Sequence, residues 1–482
     1  MHRSYWLVTM ILLCVYPSLL WGQLVGEGPR LGPIDERITQ DSIVSGDLDL
    51  QELRKAGMKI FTTPFNRFDG MGDGPVNRND TTSPGGRPTL QNNGVILRIN
   101  GLDAQTCQEC HSIVSTATVP PTLGVGGSGT IATVAMFMGK NIDMDDSDRN
   151  DFVAYDGRLI IPPHTFGVGG VQLLGKEMTE ELQALKNFAL ENPGTNVPLV
   201  TKGVSFGSIT ADENGNLDTS QVEGIDDDLV VKPFGRKGEF ATLRQIDQAA
   251  MMFHMGMQPV EIVGEGVDAD GDGVVNEILV GELSALEIFL TTQDRPFQEN
   301  LSDLGAWGSE LFVDIGCADC HRPSLETNRH MLTYSLPEAN QDPFANVFYE
   351  VDLSEEPTQF QKSSGGGLII PLFSDLKRHD MGPELAEDFH GATAQQNRGF
   401  ITAKLWGVRD TAPYMHDSRA PTLGQAILLH GGEASDARYN FADLTETEKN
   451  AVLEYLRSLR TPVQPNADVI PNAQRRVSDL GQ

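Results

Sequence analysis

Outside two short strings, this 482-residue chain is almost free of cysteine. Of its five cysteines, Cys14 lies in an apolar leader, and Cys107, Cys110, Cys317 and Cys320 are the rest. No thiol is left over for a disulfide framework, so a small stapled fold is excluded. Basic residues are scarce too: 36 Lys and Arg face 67 Asp and Glu, a formal net charge of −31. A surface of that sign repels phosphate, which argues against nucleic acid as a partner and suits a soluble exterior. After Gln23 no apolar run is long enough to span a bilayer. The chain also has no glycine fingerprint for adenylates, no serine triad pattern and no HExxH string. Residues 1–22, "MHRSYWLVTMILLCVYPSLLWG", read as a signal peptide cut after Gly22. A membrane anchor is the competing reading, but Pro17 breaks the run and no basic stop-transfer flank follows. The mature chain is therefore expected to be periplasmic or otherwise exported, with no membrane span after cleavage.

The two strings are "CQECH" (Cys107–His111) and "CADCH" (Cys317–His321). Cys-x-x-Cys-His is the attachment pattern of covalent haem c, with the thiols as thioethers and the histidine as one axial iron ligand. Tetrahedral zinc wants four Cys/His ligands, and each string offers only three. A redox dithiol does not need a histidine directly after it. The reading is two covalently bound haem c groups, held by Cys107, Cys110, Cys317 and Cys320, with His111 and His321 on the irons.

Around the second string, Trp307, Leu311 and Phe312 recur at helical spacing, and Gly308 is small enough for another helix to cross closely. Thr445 and Glu448 form a capping box ahead of Val452, Leu453, Leu456 and Leu459. A helix before the motif packed on a closing helix completes a small haem domain. Gly57 and Phe61 repeat the Gly-x-x-x-Phe pattern before the first string, with a polar insertion before Cys107.

The segment "LWGVRDTAPYMHDSRAPTLGQAILLHGGEA" makes the chain resemble the bacterial di-haem cytochrome c peroxidases, in particular their di-haem oxidoreductase branch. The family's Thr-x-Pro-Tyr-x-His-Asp pattern is matched by Thr411, Pro413, Tyr414, His416 and Asp417. The resemblance implies that Thr411 and Pro413 help hold a calcium ion between the haems. It places His430 where the family has a methionine on the electron-transfer iron, so a bis-histidine haem of lower potential is expected. The other reading of His430 is a histidine closing a helix end. "YDGR" matches the family's Trp-Asp-Gly-Arg, which makes Tyr155 an aromatic relay and Arg158 a polarising cation. Glu177 in "KEMT" matches a glutamate over the peroxidatic iron, where one carboxylate moves a proton between the peroxide oxygens. Its plainer reading is a charge in the first turn of a helix. His164 is either a resting ligand or a loop-shaping residue, His254 reads as packing, and His379 and His390 receive no role.

Asp268, Asp270 and Asp272 in "DADGDGVVNE" open like a calcium loop, but the twelfth position is Leu279, and Glu277 and Glu282 are mis-spaced. An Asp/Gly-rich turn without an ion fits equally. The expected architecture is mostly α with two cytochrome c-like domains. The first, at 23–300, is enlarged by insertions and carries the peroxidatic haem. The second, at 301–462, carries the electron-transfer haem, and a polar tail runs over 463–482. The implied function is reduction of hydrogen peroxide to water with electrons from a small donor protein, a cytochrome c or a cupredoxin. The alternatives are a pure electron carrier and a di-haem oxidase of a protein or organic substrate.

Overall fold

The computed structural model describes residues 29–66, 68–71, 96–98, 101–102, 106–114, 136–143, 154–160, 162–387 and 392–470. The leader and the last residues of the tail lie outside them.

Helix α1 (Leu50–Thr62) starts at a reciprocal cap: Asp49 accepts from the Glu52 amide at 2.8 Å, and Glu52 accepts from the Asp49 amide at 2.9 Å. Its buried stripe is Leu53, Gly57, Ile60 and Phe61, spaced as one helical face requires. Helix α2 (Val168–Glu191) is followed by a three-stranded antiparallel sheet, Val197–Thr201, Val204–Ala211 and Leu217–Val222. Helix α3 (Leu243–Ala250) runs into a π turn, Met251–Met255, and α4 (Val280–Thr291) is buried along almost its whole length. Helix α5 (Asp303–Asp314), the short α6 (Leu423–Leu429) and α7 (Glu446–Arg457) complete the frame. The Thr445–Glu448 capping box is present at α7.

Two helix crossings repeat one device. A Cβ on Gly57 of α1 would lie 2.1 Å from the Ala285 carbonyl oxygen of α4. On Gly308 of α5 it would lie 1.9 Å from the Ala451 carbonyl oxygen of α7. Each pair thus touches backbone to backbone. Four residues on, Phe61 meets Phe289 edge-on at 5.9 Å and Phe312 meets Tyr455 at 5.5 Å.

The fold is mostly helical at these crossings, but the described residues also form six small antiparallel sheets. Two hydrophobic clusters result. The smaller joins Phe312, Ile315, Phe373, Val408, Phe441, Val452, Tyr455 and Leu456. The larger contains the α1, α2 and α4 side chains and also Leu325, Leu332, Leu353, Leu368 and Leu372. Residues 325–372, expected in the second domain, therefore bury their apolar side chains with the first. The expected polar tail is partly folded as well. Asp468 pairs with the buried Arg54 of α1 at 2.8 Å, and Asn466 donates to the Ile113 carbonyl at 3.0 Å.

Candidate functional site

Both Cys-x-x-Cys-His strings fold alike. Cys107–Glu109 and Cys317–Asp319 are single 3-10 turns, closed by the His111 amide on the Cys107 carbonyl (2.9 Å) and the His321 amide on the Cys317 carbonyl (3.0 Å). The first is tied to the end of α1, where the Thr106 hydroxyl donates to the Phe61 carbonyl at 2.8 Å. The second follows α5 through Gly316 at φ 89°, a left-handed turn that glycine takes without strain.

The three histidines expected on iron share one arrangement. Nδ1 of His111 lies 2.8 Å from the Pro163 carbonyl, Nδ1 of His321 lies 3.1 Å from the Phe373 carbonyl, and Nδ1 of His430 lies 2.8 Å from the Ala426 carbonyl. A carbonyl only accepts, so Nδ1 carries the proton and Nε2 keeps the lone pair a metal uses. Burial pushes His111 and His321 down to about 4, the latter helped by His430, and lowers His430 too, so all three are neutral at pH 7. The His321 and His430 ring centroids are 6.3 Å apart with planes at 64°. Two imidazoles on one metal, each through a bond of about 2 Å, place their centroids roughly 6 Å apart. His430 also stands at the C-terminal end of α6, so the helix-end reading and the ligand reading describe one residue.

The thiols fit thioether formation better than a redox or zinc role. Burial raises Cys107 above the ordinary thiol range and Cys317 to about 12, the opposite of a reactive thiolate. None of the four is in a disulfide. The residues therefore suit two haem c groups.

Glu177 departs from the position in a first helical turn that its plainer reading gave it. Glu177 sits in the middle of α2 rather than in a first turn, fully buried. It accepts from the Arg329 amide at 2.8 Å and the Asn328 amide at 2.7 Å, and pairs with Lys202 at 2.8 Å. A carboxylate that accepts from two loop amides and pairs with a lysine clamps that loop. Tyr155 and Arg158 lie on the strand Ala154–Ile160, opposite Ile142 and Met138. Their side chains are outside the described set. His164 turns Nε2 to the Trp406 carbonyl at 3.0 Å, which suits loop anchoring.

Near the first string lies a carboxyl group that the sequence did not single out. Asp247 of α3 is 7% exposed, its Oδ2 has no hydrogen-bond partner, and its charge acts on Cys107. Burial, then the Glu287 carboxylate, hold its pKa well above the ordinary carboxylate range against the opposing pull of Arg244. Spacing offered no signal for it, because its relation to Cys107 is purely tertiary. Beside the second string His379, given no role from sequence, lies 2.9 Å from Asp375 and 2.7 Å from Glu433. Burial opposes protonation there, but hydrogen bonds to Asp375, Cys320 and Glu433 win and raise it to about 11.

Of the calcium expectations, Thr411 donates its hydroxyl to the Val408 carbonyl at 3.3 Å, and Pro413 follows a cis peptide bond. Among the described residues no cluster of Asp, Glu, His or Cys gathers around them. Asp268, Asp270 and Asp272 do converge, each offering an oxygen within 4.8 Å of the others. Glu282 is taken by Arg37 at 2.5 Å.

Parts of the chain are similar to known proteins. Residues 358–459 match the family described as "Di-haem oxidoreductase, putative peroxidase". The chain is 25% identical over 226 residues to the cytochrome-c peroxidase IdrP2 of Denitromonas iodatirespirans, a match covering 46% of this chain and 54% of that protein. It thus spans about half the length of that relative. Both similarities point to the di-haem cytochrome c peroxidase and oxidoreductase superfamily. Among solved structures, hydrazine synthase of Kuenenia stuttgartiensis is 16% identical with a TM-score of 0.27, covering 58% of this chain and 87% of that one. A MauG-like protein associated with microbial copper homeostasis is 13% identical with a TM-score of 0.26, covering 62% and 91%. No helix among the described residues is long and apolar enough to cross a membrane.

Proposed function

We propose that the chain reduces hydrogen peroxide to water with electrons from a small donor protein, a cytochrome c or a cupredoxin. In this reading it works from the periplasm or an equivalent exported location. Cys107, Cys110 and His111 would hold one haem c; Cys317, Cys320, His321 and His430 would hold the other. The α1/α4 and α5/α7 crossings would close the two cytochrome c-like haem domains. Haem would supply the one-electron chemistry.

One asymmetry carries the reading. The second string faces an imidazole with its tautomer already set, while the first feels the charge of a buried carboxyl with an unpartnered oxygen. A haem held by His321 and His430 would suit electron entry, and a pocket with a proton donor would suit bond cleavage. Asp247 is the group we assign to move the proton; water formation consumes two protons and two electrons per peroxide. Tyr155 as relay and Arg158 as polarising cation remain parts of the proposal that rest on the family pattern. The acidic chain, at −31, favours a donor with a basic docking face.

The test is an optical spectrum at stepped potentials on the purified protein, with His430→Met beside it. Two haem c per chain are expected, one of them reachable by cyanide. His430→Met should raise one midpoint potential and leave the other in place, since thioether sulfur donates less to ferric iron than imidazole. Two unchanged potentials would take His430 off the iron. Low-spin spectra at every potential, with cyanide reaching neither iron, would leave an electron carrier.

A further inference from the structure

We propose that Asp268, Asp270, Asp272 and Glu277 bind one calcium ion. A twelve-residue calcium loop ends in a bidentate carboxylate. Here that position is Leu279, which serves as the N-cap residue of α4. The fold supplies the missing carboxylate from two residues earlier.

Glu277 is 1% exposed, and its Oε1 has no hydrogen-bond partner. Its Oε2 is held by the Gln258 amide at 2.7 Å. The Gln258 side chain in turn accepts from the Ala269 amide, between Asp268 and Asp270, at 3.2 Å. One residue therefore grips both the glutamate and the loop. The space for Glu277 comes from Gly70, where a Cβ would lie 2.3 Å from its carboxyl carbon.

Within the loop, Asp268 accepts from the Gly271 and Gly273 amides, Asp270 from the Asp272 amide and Asp272 from the Val274 amide. These bonds set the loop's shape; they engage both oxygens of Asp268 and one oxygen each of Asp270 and Asp272. Asp270 Oδ2 is left buried without a donor, as is Glu277 Oε1. Among the described residues no lysine or arginine pairs with any of the four. The nearest guanidinium, Arg37, is turned to Glu282 and to the Asn276 and Glu277 carbonyls.

The three aspartates offer oxygens within 4.8 Å of one another, and the buried Glu277 lies within reach of their charge. Carboxylates gathered in this way repel one another unless a cation joins them. An all-oxygen set on a loop suits calcium, which accepts six to eight oxygens in flexible geometry. Magnesium demands a near-ideal octahedron and retains its waters.

The experiment is equilibrium dialysis of the haem-loaded protein, stripped with a chelator, against calcium, alongside Glu277→Gln and Asp270→Asn. Haem content and optical spectrum report folding of each variant. The wild type should bind one more ion per chain than Asp270→Asn, and Glu277→Gln should weaken that ion at least tenfold. Calcium should also raise the wild-type melting midpoint and lose this effect in both variants. Equal stoichiometry and affinity in all three proteins would overturn the site. So would a Glu277→Gln protein that melts higher than the wild type in calcium, the sign of a buried acid with no ion to bind. An equal response to magnesium would overturn the choice of calcium.

Discussion

Asp247→Asn is expected to lower peroxide turnover by about a hundredfold or more, while two haem c groups per chain and the low-spin spectrum at His321/His430 are retained. The argument is one of position and protonation. Asp247 is buried, keeps one oxygen without a partner and acts electrostatically on Cys107. Its pKa lies well above the ordinary carboxylate range, burial being the main cause and Glu287 the second. It is therefore a proton donor at pH values where an exposed aspartate is already spent. Because the acid form is the active one, turnover should fall as pH rises through that raised pKa. Glu177→Gln provides the contrast. It leaves Lys202 facing a neutral amide in a site where the two side chains are 7% and 0% exposed. Stability should drop by about 3 kcal/mol, read by denaturant unfolding, with turnover per haem preserved. If Asp247→Asn turns over normally and Glu177→Gln does not, the two roles are reversed.

Gly308→Ala is expected to be the most damaging single-methyl change in the second helix pair. Alanine normally favours a helix interior over glycine by about 1 kcal/mol. Here the new Cβ would meet the Ala451 carbonyl oxygen at 1.9 Å and its carbon at 2.4 Å. Neither atom can rotate away, so α5 and α7 must separate along a seam that includes Phe312, Tyr455 and Val452. We expect a net loss of about 3 kcal/mol or more, together with poor haem retention at the second string. Gly305→Ala on the same helix is the control. Its Cβ would meet nothing closer than Leu301 Cδ2 at 3.4 Å, so it should be neutral or mildly stabilising. Equal midpoints for the two variants would mean that the crossing is not what fixes the pair.

The features readable in advance are those whose hydrogen bonds close within a few residues. The Cys-to-His turn closes between residues four apart, and the capping box between Thr445 and Glu448, three apart. The Gly-x-x-x-Phe repeat was visible for the same reason, since small and aromatic residues four apart share one helix face. His430 lay between these cases. Its place at a helix end was local, but the imidazole opposite it arrives from a string more than a hundred residues away.

Acidic residues were the opposite case. Glu177, Asp247 and Glu277 look alike in the chain, yet one is held by two amides and a lysine, one keeps an unpartnered oxygen and acts on a cysteine by its charge, and one is tied to an aspartate loop through Gln258. The same holds for the packing of residues 325–372 with the larger core and of Asp468 with Arg54. The chain's letters specify which groups it carries and how each short turn is capped, because those bonds form between near neighbours. What a buried charge does follows from the donors, carbonyls and glycine gaps that remote segments bring to it. Desolvation makes those arrivals worth several kcal/mol each, and no local pattern records them.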